Sequence, residues 1–213
     1  MVLIHINSHY IELFFFKFEI IYIKYKYKMG EIILIMGPMY SGKTTTLISK
    51  LERFKRTGKT ILVIKYKDDL RYTNEKKLVS HAKNEFIAND TVYVRSLSEI
   101  SDERISLYDI IGIDEGQFFS DITTVNKWAN INKKIYISAL NGTYNQMNFK
   151  GFEQLYPYVD NIILLNAICA VCNINDAPFT YKLISNESIE QIDIGGDEKY
   201  MAICRECLNK KKR

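Results

Sequence analysis

From Glu31 onward, short apolar runs alternate with longer stretches of helical spacing. Ile32 to Met36 is wholly apolar and ends in Gly37, the pattern of a strand buried on both faces. Leu47, Ile48, Leu51 and Phe54 then recur at helical intervals between Thr44 and Thr57, and Gly58 stops the pattern. Further apolar runs fall at Ile61 to Ile64, Val92 to Val94, Asp109 to Ile113, Ile135 to Leu140 and Ile162 to Leu165, separated by polar or helical stretches such as Ser120 to Asn130. Strands alternating with helices predict a mainly parallel sheet with right-handed crossovers. After Asn166 the rhythm changes. Phe179 to Ile184 and Ile189 to Ile194 alternate around the polar Ser185-Asn186-Glu187-Ser188, which predicts a β-hairpin. The hairpin is flanked by Cys169 with Cys172 and by Cys204 with Cys207, in a segment too small to build much core of its own.

Met1 to Lys28 departs from this pattern. It is rich in Phe, Tyr, Ile and Lys, without a single Gly, Pro or Ala. Its lysines sit at the wrong end for a secretory signal and no small-residue cleavage site follows. Glu12, Lys17, Glu19 and Lys24 interrupt any membrane span. The segment reads as translated upstream sequence ahead of a second start at Met29, with a peripheral anchor or an extra edge strand as alternatives. Of the 213 residues, 29 are basic and 25 acidic, a net charge of +4. Without the leading segment the balance is 25 against 23, or +2, so nothing in the charge asks for a nucleic-acid partner. No stable membrane association is expected.

Three clusters carry chemistry. Gly37-Pro38-Met39-Tyr40-Ser41-Gly42-Lys43-Thr44 matches the phosphate-loop pattern between a predicted strand and a predicted helix. Its glycines let backbone N–H groups turn toward phosphate oxygens, and the helix start adds its positive dipole end. Lys43 suits the β- and γ-phosphates, and the Thr44 hydroxyl suits Mg²⁺. The second cluster is the strand Ile110 to Ile113, which delivers Asp114 and Glu115 at its C-terminal end, where open α/β sheets bind ligands. Successive strand residues face opposite sides, so unless the strand ends there the two carboxylates divide their work: Asp114 toward the metal, Glu115 toward a nucleophile. Third, two C-x2-C pairs with 31 residues between them use all four cysteines and form a cage for a structural Zn²⁺. Disulfides and a redox pair are the alternatives. Trp128 reads as core, His81 as a loop histidine, and Lys210-Lys211-Lys212-Arg213 as a solvated basic tail.

Together with Lys65-Tyr66, Asp69, Arg71-Tyr72, Ile113-Asp114-Glu115-Gly116-Gln117-Phe118-Phe119, Ala139-Leu140-Asn141-Gly142-Thr143-Tyr144, and Gly195-Gly196 followed by Lys199-Tyr200, these motifs resemble the type II thymidine kinases of animals, bacteria and poxviruses. The resemblance covers about residues 30 to 208 in the family's order. It implies an α/β fold of P-loop (RecA-like) type, a mainly parallel sheet flanked by helices, with a small C-terminal zinc-ribbon and lasso β module. The implied organisation is an extension over 1–28, a kinase domain over 29–166, a zinc-ribbon lid over 167–207 and a basic tail over 208–213.

The resemblance also implies the chemistry: ATP with Mg²⁺ phosphorylates the 5′-hydroxyl of thymidine in nucleotide salvage, and of deoxyuridine as well, with Glu115 as general base. Asp69, Arg71 and Gln117 match positions near the phosphates. Met39, Phe118 and Leu140 match apolar walls of the base pocket. Gln191, Ile192, Asp193, Ile194 and Gly195 match the segment whose backbone pairs with the thymine edge, and Tyr200 matches a tyrosine against the nucleoside. A cytoplasmic homotetramer with dTTP as feedback inhibitor is implied too. Tyr144 stands where the family commonly has Phe, at a wall of the substrate pocket, and Asn141 where Asp is common. A zinc-ribbon nucleic-acid-binding ATPase is the alternative, which the missing basic groove disfavours.

Overall fold

The structure is a computed structural model that describes residues 30–69, 77–80, 83–183, 195–196 and 198–211. The leading segment, Arg71 and Tyr72, His81, Gln191 to Ile194 and the terminal Lys212 and Arg213 lie outside the described residues.

Six parallel strands form the main sheet, in the order β5-β2-β6-β7-β1-β8: β1 (Glu31–Gly37), β2 (Ile61–Tyr66), β5 (Asp90–Val94), β6 (Ile110–Ile113), β7 (Lys134–Leu140) and β8 (Asn161–Leu164). Every run expected to be a strand of this sheet is one. Alternation explains why β1 reads as uninterrupted apolar sequence. Ile32, Leu34 and Met36 enter one core with Phe119, Ile122, Val125 and Trp128, while Ile33 and Ile35 enter the opposite core with Leu47, Ile48 and Leu51. Those three side chains belong to helix α1 (Lys43–Lys55), and Trp128, at 1% exposure, to α3 (Val125–Asn130), which follows α2 (Asp102–Ser106). Truncating a buried leucine of this kind to alanine costs about 2–5 kcal/mol. At the sheet edge β8 is half-open, with Ile162 and Leu164 exposed.

Small pairings accompany the main sheet: β3 (Leu78–Val79) with β4 (Glu85–Phe86), and β9 (Ala167–Ile168) with β10 (Asp176–Ala177). Two-residue strands carry too little periodicity to be read from sequence. In the C-terminal module, β11 (Phe179–Lys182) runs antiparallel to β12 (Tyr200–Ile203), followed by helix α4 (Arg205–Lys211). The hairpin expectation is therefore revised in its observed partner: Phe179 to Lys182 pairs with Tyr200 to Ile203, and the run Ile189 to Ile194 falls outside the described residues. Leu208 is buried beside the cysteines, so the start of the expected basic tail is helix. Among the described residues, no helix is long and apolar enough to cross a membrane.

Candidate active site

Parallel register aligns the C-terminal ends of β6, β7 and β1, with Gly37 opposite Leu140 and Ile113 opposite Ile137. The phosphate loop, the acidic pair and the β7 end consequently share one rim, as expected of an open α/β sheet. A Cβ at Gly37 would collide with Ser41 Oγ and the Leu165 carbonyl, so only glycine lets the loop fold back on itself there. Gly42, at φ 80°, opens α1 without a side-chain cap, and the first turn of the helix carries no acid. That leaves the helix start suited to an anion. Lys43 is buried, its Nζ donating to the Pro38 carbonyl at 2.7 Å, and Ser41 Oγ donates to the same oxygen at 2.9 Å.

Asp114 sits on the floor of this loop. Its Oδ1 accepts from Thr44 Oγ1 at 3.1 Å and from Ser138 Oγ at 2.5 Å. Burial, and then the charge of Glu115, push its carboxyl up to about 6, against the lowering effects of Ser138, Lys65 and Thr44. Thr44 and Asp114 thus form a hydroxyl and carboxylate pair of the hard-oxygen kind that Mg²⁺ prefers.

Glu115 leaves β6 in the left-handed region, at φ 54° and ψ 48°, which is costly for a non-glycine residue. The strand ends at Ile113, so strand alternation does not separate the carboxylates. The kink turns Glu115 outward, half-buried, while Asp114 stays inside at 5% exposure. A 3₁₀ turn over Gly116–Phe118 follows and packs against β7, where a Cβ on Gly116 would collide with Ile137. Within that turn Gln117 is buried, donating from Nε2 to Glu115 Oε2 at 2.6 Å and accepting from the Leu140 N–H at 3.0 Å.

Around this centre, Met39 is buried, Phe118 and Leu140 are half-buried, and Phe118 packs on Tyr66 at 5.3 Å between centroids. Tyr144 lies 6.3 Å from buried Tyr200, with Lys182 Nζ 5.0 Å from the Tyr144 ring centroid. Asp69 is buried on the loop after β2, its N–H donating to the Tyr66 carbonyl, whereas Arg71 and Gln191 to Ile194 lie outside the described residues. Gly195 is buried against Lys199.

Among the described residues, hydrogen bonds tie the C-terminal module to this rim. Met39 N–H donates to Thr180 Oγ1 at 3.1 Å, Tyr40 OH to the Tyr200 carbonyl at 3.4 Å, and Asn141 Nδ2 to the Pro178 carbonyl at 2.9 Å. Sequence reasoning missed Ser138 and Thr180. The one signal for Ser138 is a polar residue inside the apolar run Ile135 to Leu140; Thr180 has none, because threonine is an ordinary strand residue.

The ligand atoms of Cys169, Cys172, Cys204 and Cys207 all lie within 4.8 Å of one another. Four sulfurs at Zn–S bond length on a tetrahedron are ~3.8 Å apart, so the cluster fits that ion. Its charge distribution favours a cation too. Burial raises the Cys169 thiol, but N–H groups of Cys172, Cys204 and Val171 bring it down to about 6, while the hydrogen bond with Cys204 leads in pushing Cys207 up to about 12. A divalent cation resolves the conflict among crowded thiolates.

Comparison with known proteins agrees with this geometry. The family model described as thymidine kinase matches residues 30–208. Thymidine kinase 1 of Dictyostelium discoideum is 40% identical over 184 residues, 84% of this chain and 78% of its own. The thymidine kinase of Acanthamoeba polyphaga mimivirus is 41% identical over 190 residues, 86% of this chain and 84% of its own. That of sheeppox virus (strain KS-1) is 40% identical over 179 residues, 84% of this chain and 96% of its own. With the phosphate loop, the carboxylate pair and the four-cysteine cluster in place, the chain belongs to the thymidine kinase family.

Proposed function

We propose that the protein transfers the γ-phosphoryl group of MgATP to the 5′-hydroxyl of thymidine, and of deoxyuridine, giving dTMP or dUMP for DNA synthesis. The observation that carries this reading is the left-handed turn at Glu115, which presents one carboxylate outward beside a second that is buried against Thr44 at the end of the phosphate loop. In the reaction, Glu115 takes the proton of the 5′-hydroxyl as its oxygen bonds to the γ-phosphorus. The bond from that phosphorus to the bridging oxygen breaks, and ADP leaves with the electron pair. Phosphoryl transfer asks chiefly for positioning and charge neutralisation. Backbone N–H groups of the loop, Lys43 and Arg71 meet the phosphates, with Asp69 close to them. Thr44 and Asp114 hold the Mg²⁺ that arrives with ATP, which offsets charge on the transferred group.

Met39, Phe118, Leu140 and Tyr144 wall the base, Tyr200 meets the nucleoside, and the backbone of residues 191 to 195 pairs with the pyrimidine edge. Cys169, Cys172, Cys204 and Cys207 would hold a structural Zn²⁺, which would keep the lid folded. We assign the chain to the cytoplasm, where those thiols stay reduced, as a homotetramer inhibited by dTTP in the nucleoside site.

The test is a transfer assay with ATP against thymidine, deoxyuridine and deoxycytidine, run on wild type, Glu115→Gln and Tyr144→Phe. Thymidine and deoxyuridine should be phosphorylated, and Glu115→Gln should lose about 10²–10⁴-fold in kcat while still binding ATP. Transfer to no nucleoside overturns the reading, and wild-type turnover by Glu115→Gln overturns the base assignment.

A further inference from the structure

We propose that Gln117 is a positioning residue for the general base, an inference that rests on the role given to Glu115 above. The family resemblance puts Gln117 near the phosphates, but both ends of its amide are engaged elsewhere. The Leu140 N–H can only donate, which requires the amide oxygen to face β7. The amide nitrogen then faces Glu115, 2.6 Å from Oε2. Orientation of the amide is therefore dictated by its neighbours.

The arrangement solves a mechanical problem. Glu115 occupies a strained backbone conformation at the end of a four-residue strand, with a side chain long enough to adopt many rotamers. The bond from Gln117 to Oε2 limits the rotamers through which the carboxylate can swing. Gln117 is in turn fixed by burial at 4% exposure, by its bond to β7 and by the close approach of Gly116 to Ile137. The base is thereby referenced to the strand end that also carries Leu140 and Asn141, so it is held in register with a wall of the base pocket. A small misplacement of a catalytic group costs up to about a hundredfold in rate, which makes such a tether worth preserving.

Two variants separate this role from a structural one. Gln117→Glu keeps an acceptor for Leu140 but loses the donor to Glu115; Gln117→Met, of similar volume, loses both. Each should lower kcat about ten- to a hundredfold, while equilibrium binding of thymidine, and of a non-hydrolysable ATP analogue, stays within about threefold of wild type. In a Glu115→Gln background, adding Gln117→Glu should change kcat no further, because the tether then has no base to hold. Wild-type kcat in Gln117→Glu overturns the proposal, as does a loss confined to ATP-analogue affinity. So does a kcat loss that persists undiminished in the Glu115→Gln background. Failure of the base assignment is separately visible as full turnover by Glu115→Gln alone.

Discussion

The parallel sheet and the cysteine module are held together by different means. The sheet buries Ile, Leu, Val, Phe and Trp on both faces, so its stability comes from many large side chains. Among the described residues of the module the buried apolar side chains are Ala167, Ala177, Tyr200, Ala202, Ile203 and Leu208 beside three of the four cysteines, a far smaller apolar set than the sheet's. The candidate active-site rim lies on the sheet, and the module reaches it through Thr180, Tyr200 and Pro178. On the proposed reading the module is a lid, and an element that closes and reopens is better built from the less stable part.

The largest effect should come from removing the metal proposed for the four cysteines. Metal binding of a structural cluster contributes on the order of 10 kcal/mol, so chelation should abolish amide protection in β9 to β12 and α4 while β1, β6 and β7 keep theirs. Hydrogen exchange read by mass spectrometry decides it. Equal loss in sheet and module would show one cooperative unit, and metal analysis finding no zinc in the intact protein would remove the premise.

A middle-sized effect lies inside the sheet, where function works against stability. Asp114 titrates near 6 when folded, above the ordinary aspartate value of 3.8. Between those values the folded state binds more protons than the unfolded one, so stability falls as pH rises through the window and is lowest above about 6. Asp114→Asn should consequently be more stable than wild type at about pH 7.5, by on the order of 2 kcal/mol in the metal-free protein, with little difference near about pH 4. The same variant should lose Mg²⁺-dependent turnover. Thermal melts of both proteins across that range test it; a gap independent of pH would sink the idea.

The smallest effect sharpens the boundary between the two regions. Asn141 donates to the Pro178 carbonyl, which a carboxylate cannot do. Asn141→Asp should cost about 1–2 kcal/mol of docking, seen as roughly tenfold faster exchange in β11 and β12 with unchanged protection in β1. If β11 exchange stays at the wild-type rate, this bond does not help to hold the module against the sheet.

Much of the molecule is legible in its amino-acid sequence. The apolar runs mark each strand of the main sheet, most plainly β1 and β6, where burial on both faces leaves little room for polar residues, and Gly37 to Thr44 announces the phosphate loop because few residue types tolerate its curvature. The cysteine spacing indicates a metal cage, and the four ligand atoms do converge. Less legible is the division between Asp114 and Glu115. Alternation points to an inward and an outward carboxylate for an incomplete reason: the strand ends first, and a left-handed residue turns the second carboxylate outward.

Sequence alone determined the main-sheet strands, helix α1 and the residue types available at the rim, since periodicity, glycine and cysteine spacing act over a few neighbours. Tertiary structure alone decided which polar atoms meet. Gln117 joins Glu115 to a strand 23 residues away, and Thr180 supports a loop 141 residues away. The physical reason is that a hydrogen bond depends on where two chain segments arrive in space, and local pattern carries no record of that.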